Sequence, residues 1–152
     1  MLNDLCAKLI ENKITIASAE SCTGGIVSSM LVSFAGISEV FLAGLVTYSN
    51  KSKMELLGVD AQIIEKYGAV SSECALAMAK GVRKVTGARC GISTTGIAGP
   101  TGAMQDKPVG LVYIAVCFDD KTKVEKLLLS GFRQEIMQEA AGRLLDMAES
   151  LI

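Results

Sequence analysis

The chain has 152 residues, half of them hydrophobic but only 5% aromatic, with a formal net charge of −1. That length suits one domain with a full aliphatic core, the charge offers no basic face for nucleic acid, and no apolar run approaches the ~20 residues of a membrane span. It has five cysteines, an odd number without Cys-x-x-Cys spacing, and no histidine at all. The cysteine pattern argues against a disulfide framework and a structural zinc site. The missing histidine excludes Ser-His-Asp and Cys-His catalysis, leaving Lys, Tyr, Asp, Glu or Cys for any proton chemistry. Polar residues interrupt the N-terminal stretch, so no leader is expected and a cytoplasmic location is.

Apolar positions Leu2, Leu5, Cys6, Leu9 and Ile10 predict an amphipathic helix over residues 2–12. A short buried strand over 14–17 leads into Ser18-Ala19-Glu20-Ser21-Cys22-Thr23-Gly24-Gly25 and an apolar helix to about Phe34. Residues 40–47 read as a continuous apolar strand covered on both faces. Two short helices follow, one capped by Ser49 or Asn50 and stopped at Gly58, the other running over 60–66. Ser71 caps a longer helix to about Thr86, and a strand over 89–95 enters the glycine-rich loop 96–102. The polar stretch 103–107 is expected to be mobile. Apolar runs over 109–118 and 124–129 flank a hairpin turn, and a helix from about Phe132 completes the chain. The pattern predicts a three-layer α/β/α single domain over 1–152, with a mixed, largely parallel sheet.

In such a sheet, ligands bind beyond the carboxyl ends of the strands. Three strand ends carry unusual polar or glycine-rich sequence: 18–25, 47–53 and 93–102. At the first, small residues allow several N–H groups to face one point, and Ser21 stands at a strand-to-helix corner as nucleophiles do elsewhere. A capped helix start without chemistry fits the same residues. Lys53 would sit in the first turn of a helix with Lys51 nearby, and both effects lower a lysine pKa and make it a better base. Serine activated by lysine is an established alternative to the histidine triad. Tyr48 would relay or orient the proton; two surface lysines and a packed tyrosine are the bland alternative. The 96–102 loop lacks the spacing of a P-loop, yet its backbone, with Thr94, Thr95 and Gly96, suits an anionic ligand. Arg133 would pair with a phosphate or remain solvated. Cys22 is a rival nucleophile, though without histidine it reads as a buried thiol.

Taken together, Ala19-Glu20-Ser21-Cys22-Thr23-Gly24-Gly25, Val46-Thr47-Tyr48-Ser49-Asn50, Gly68-Ala69-Val70-Ser71, Gly96-Ile97-Ala98-Gly99-Pro100 and Lys107-Pro108-Val109-Gly110 form an ordered set. The set resembles the CinA C-terminal domain family, and within it the stand-alone nicotinamide-nucleotide amidases, over essentially the whole chain. The resemblance implies hydrolysis of the carboxamide of nicotinamide mononucleotide to nicotinic acid mononucleotide and ammonia. It implies Ser21 as nucleophile with Tyr48 and Lys53 as catalytic partners, and Thr95 and Arg133 as substrate-binding residues. Backbone N–H groups of Thr23, Gly24 and Gly25 are assigned to the oxyanion, and Gly96 to the substrate. The expected partners are a small nucleotide and a second copy of the chain in a homo-oligomer, with no cofactor, metal, nucleic acid or membrane. Members commonly read Gly-Asp-Arg before the last helix, where this chain has Gly131-Phe132-Arg133, and an arginine four residues later, where it has Met137. The 152 residues do not contain the larger domain that precedes this one in longer members, and no activity of that domain is expected. A non-catalytic nucleotide-binding or interaction module of the same fold is the alternative.

Overall fold

The computed structural model describes residues 1–152 around a five-stranded sheet. The strands are β1 (Ile16–Glu20), β2 (Phe41–Val46), β3 (Cys90–Gly96), β4 (Leu111–Phe118) and β5 (Lys121–Leu128), ordered β2-β1-β3-β4-β5. β1 pairs in parallel with both β2 and β3, β4 is antiparallel to β3, and β5 is antiparallel to β4. Only β4 therefore opposes the common direction, which is the mixed, largely parallel sheet expected. The helices are α1 (Leu2–Glu11), α2 (Ile26–Val32), α3 (Asn50–Leu57), α4 (Ala61–Tyr67), α5 (Ser72–Thr86) and α6 (Arg133–Leu151).

Strand alternation divides the core into two layers. On one face, Ile16, Ile92, Val112, Ile114 and Val116 pack with Leu5 and Leu9 of α1, Leu31 of α2, and Ile136 and Leu144 of α6. On the other, Ala17 and Ala19 meet Leu57, Met78 and Val82, while Ala115 and Cys117 meet Ala75 and Ala79 of α5. Small residues on this second face let α5 approach closely. A Cβ at Gly91 would run into the Ala79 carbonyl oxygen, and one at Gly81 into the carbonyl of Leu57. The second contact fixes the end of α3, the helix that carries Lys53. The caps follow the sequence: Ser49, Asp60 and Ser71 each accept a backbone N–H of the first helical turn, and α3 ends at Gly58 with φ 68°.

Three differences from the sequence reading have physical causes. β1 runs on to Glu20, because parallel pairing on both sides continues, with Glu20 opposite Val46 and Thr94. β2 is the edge of the sheet rather than covered on both faces, and its Leu42 and Val46 are exposed. An uninterrupted apolar run does not distinguish those two environments. Residues 103–107, expected to be mobile, hold a bridge between Met104 and Lys107, and the Lys107 ammonium donates to the Tyr67 carbonyl at 2.7 Å.

Candidate active site

β1, β2 and β3 are mutually parallel, so the segments after them meet at one edge of the sheet. They enclose a cavity of about 290 Å³ whose lining includes Ser21 and Cys22 after β1, Tyr48, Asn50 and Lys53 after β2, and Thr95–Ala98 with Thr101 and Gly102 at β3. The α4–α5 turn adds Ala69 and Val70, and the start of α6 adds Arg133. No carboxylate lines this space, and the Arg133 guanidinium stands on its wall. Its field favours an anionic ligand.

Ser21 and Lys53 meet at the bottom. Lys53 is 1% exposed and Ser21 8%, and the Lys53 Nζ stands 3.0 Å from the Ser21 Oγ. Nζ also donates to the carbonyls of Thr47 at 2.8 Å and Tyr48 at 3.1 Å. Lys53 forms no ion pair. Burial holds its pKa below the ordinary 10.5. A charged Lys53 would donate to all three oxygens; in the neutral form, two N–H groups on the carbonyls would leave the lone pair facing the Ser21 hydroxyl, a geometry that suits a base. Cys22, next to Ser21, has its thiol pushed up to about 12 by burial, which disfavours the thiolate that would make it a nucleophile.

Tyr48 is placed differently from the expectation of a proton relay. Its backbone carbonyl, not its phenol, touches Lys53, and its side chain is 60% exposed at the cavity mouth. There the phenolic oxygen accepts from the Arg133 guanidinium at 3.2 Å, and Arg133 also donates to the Gly99 carbonyl at 2.7 Å. Arg133 has no acidic partner, so its charge is available to a ligand while tying the mouth together. Thr95 is 1% exposed and donates its hydroxyl to the Ala69 carbonyl at 2.8 Å, leaving oxygen lone pairs for a donor in the cavity. Gly96 lies on the wall, where a Cβ would meet Leu111 and Val112.

Thr23, Gly24 and Gly25, expected as oxyanion donors, do not line the cavity, and the N–H groups of the two glycines are taken within the chain. The Gly24 N–H donates to the Ser21 carbonyl, and the Gly25 N–H to Glu20. Glu20 is fully buried, and its carboxylate also takes the N–H groups of Val27 and Ser28 and the hydroxyls of Thr23 and Ser28. The start of α2, which the sequence suggested for an external anion, is filled by the chain's own carboxylate. Sequence reasoning missed this. The available signal was a carboxylate at the end of an apolar strand, followed by a helix start at Gly25 with no capping side chain. Asn50, Ala69 and Val70 were also missed as lining residues. Phe132 is 82% exposed beside Arg133, and Met137 packs on the core beneath Gly24 rather than lining the cavity.

The family model for the CinA C-terminal domain matches residues 1–152. A competence-damage inducible protein of Clostridium acetobutylicum is 53% identical over 142 residues, which is 93% of this chain and 34% of that protein. One from Clostridioides difficile is 53% identical over 146 residues, 95% of this chain and 35% of that protein. The chain thus spans about a third of the length of these curated relatives. Among solved structures, a CinA superfamily protein from Escherichia coli superposes with a TM-score of 0.94 at 29% identity, covering 100% of this chain and 91% of that one. A competence/damage inducible protein from Agrobacterium tumefaciens gives 0.92 at 34% identity, covering 99% and 94%. The family model over all 152 residues, together with the same fold at these similarities, makes the chain a member of the CinA C-terminal domain family.

Proposed function

We propose that the chain is an amidase that hydrolyses the carboxamide of nicotinamide mononucleotide through a Ser21–Lys53 mechanism. The observation that carries this reading is the 3.0 Å contact between a buried lysine and a serine at the bottom of a cavity that also holds Arg133 and no carboxylate. Neutral Lys53 takes the Ser21 proton as Oγ attacks the carboxamide carbon, forming a tetrahedral adduct. As the C–N bond breaks, Lys53 returns the proton to the leaving nitrogen, which departs as ammonia and leaves an acyl ester on Ser21. Water, deprotonated by the same amine, then attacks the ester and releases the acid and free Ser21. A cavity without carboxylates fits a substrate with a phosphate, and Arg133 at the mouth is the group to meet it.

The test is release of ammonia and nicotinic acid mononucleotide in equal amounts from nicotinamide mononucleotide. Tight nucleotide binding with no ammonia would instead make the chain a non-catalytic binding module. Arg133→Ala should raise KM for the nucleotide about tenfold or more, the loss of a charge-assisted contact, while leaving hydrolysis of the unphosphorylated riboside nearly unchanged. Equal effects on both substrates would separate Arg133 from the phosphate. Because the Tyr48 phenol touches Arg133 and not Lys53, Tyr48→Phe should shift KM and leave kcat within about threefold. A kcat loss of a hundredfold would restore the proton-relay role.

The proposed homo-oligomer is supported by the free edge of β2. Phe41–Val46 carries no charged residue to protect the edge and exposes Leu42 and Val46, so a second copy is the occupant suggested. Sedimentation at micromolar concentration should give a dimer or larger species that Leu42→Lys dissociates.

A further inference from the structure

We infer that Glu20 is the positioning residue that converts the turn after β1 into a nucleophile and an oxyanion donor; this rests on the reading just proposed. Glu20 belongs to no ion pair, although it is a fully buried carboxylate. Burying an unpaired carboxylate costs several kcal/mol unless donors surround it. Here five do. One oxygen accepts from the Thr23 hydroxyl at 2.6 Å, the Gly25 N–H at 3.1 Å and the Val27 N–H at 2.9 Å. The other accepts from the Ser28 N–H at 2.9 Å and the Ser28 hydroxyl at 2.7 Å.

These bonds join both ends of the turn containing Ser21 to a single group. The Thr23 oxygen also lies 2.7 Å from the Thr94 oxygen, while the Ser21 N–H donates to the Thr94 carbonyl at 3.1 Å. Glu20, Thr23 and Thr94 therefore hold the backbone on either side of Ser21 against β3. The nucleophile cannot drift from Lys53 without breaking this network.

The same network determines which N–H groups remain for the substrate. Gly24 N–H is taken by Ser21, and those of Gly25, Val27 and Ser28 by Glu20 or its turn. The N–H groups of Cys22 and Thr23 make no hydrogen bond to another residue, and of the two only Cys22 lines the cavity beside Ser21. The N–H of the residue after the nucleophile is a recurring oxyanion donor in unrelated hydrolases. Cys22 N–H, the unpartnered group on the cavity wall, takes that role here, and Glu20 fixes its position through the turn.

The test uses the full chain and a fluorophosphonate probe, which phosphonylates an activated serine oxygen with loss of fluoride and does not depend on the substrate's identity. Wild type should label at Ser21. Glu20→Gln presents an amide N–H2 to donors that need an acceptor, and should slow labelling and kcat about 10- to 100-fold, as expected of a displaced nucleophile. KM for nicotinamide mononucleotide and the pH at which labelling rises should stay at wild-type values, since neither Arg133 nor the burial of Lys53 is touched. Thr23→Val should slow labelling in the same way, and Thr23→Ser, which retains the hydroxyl, should restore it. That pair decides the matter even where Glu20→Gln fails to fold. Labelling at the wild-type rate in Thr23→Val, or equal slowing in Thr23→Ser, would overturn the inference. Wild type that labels at Ser21 but releases no ammonia from the nucleotide would refute the substrate and leave the positioning role standing. Wild type that does not label at Ser21 would refute both.

Discussion

Ser21→Ala should lose at least about 10³-fold in kcat for amide hydrolysis while binding the nucleotide within a few-fold of wild type. The binding is expected to survive because the groups that would recognise the ligand, Arg133 and the 95–102 wall, belong to other elements. Removing the hydroxyl also perturbs little else: the Oγ has Lys53 as its one partner, and the turn is held through the Ser21 backbone and Glu20. A matched pair of measurements is therefore informative, calorimetry for binding and ammonia release for turnover. Loss of both would mean that Ser21 serves the structure of the turn, and retention of both would place the nucleophile elsewhere.

Lys53→Met should be equally inactive and should also change the pH dependence of stability. The folded chain lowers the Lys53 pKa from the 10.5 of an unfolded lysine, with burial as the main cause. Between those two values the unfolded chain binds the proton more strongly, so unfolding takes up a proton. Wild-type stability contributed by this group therefore rises as pH increases toward 10.5, and the penalty for burying the charged form is greatest below the folded value. Methionine cannot titrate. The stability of wild type relative to Lys53→Met should consequently improve with rising pH, measured by urea titration at several values from neutral to alkaline. Activity of wild type should rise with pH up to the lowered folded value and level off above it, where stability still climbs, because only the neutral amine can accept the Ser21 proton. Lys53→Arg provides a control, since a guanidinium stays charged and does not act as a base. A flat stability difference, or full activity in either variant, would contradict the assignment of Lys53.

The parts of the site legible in the sequence were those set by strand ends. Alternation of strands and helices is enough to bring the segments after β1, β2 and β3 together, and the absence of histidine directs attention to Lys53. Burial was not legible: only packing of Leu57 against α5 shows that α3 is pinned so that a lysine in its first turn faces inward. The role of Tyr48 divided between atoms that a sequence does not separate, its carbonyl on Lys53 and its phenol on Arg133. Thr23–Gly25 looked like an open anion site because small residues before a helix have that potential, and whether an internal carboxylate already fills it depends on β1 extending three residues further than its apolar core. The edge position of β2 was hidden for a similar reason: the apolar run Phe41–Val46 suits a buried strand as well as one waiting for a partner.

The most direct test of the covalent pathway is turnover of nicotinamide mononucleotide in the presence of hydroxylamine, with both ammonia and the nucleotide hydroxamate measured. An acyl ester on Ser21 partitions between water and the stronger nucleophile, so hydroxamate should form at the expense of the acid and should vanish in Ser21→Ala. Ammonia released with acid as the sole product, at every hydroxylamine concentration, would show that water attacks the carboxamide directly and that Ser21 is not the nucleophile.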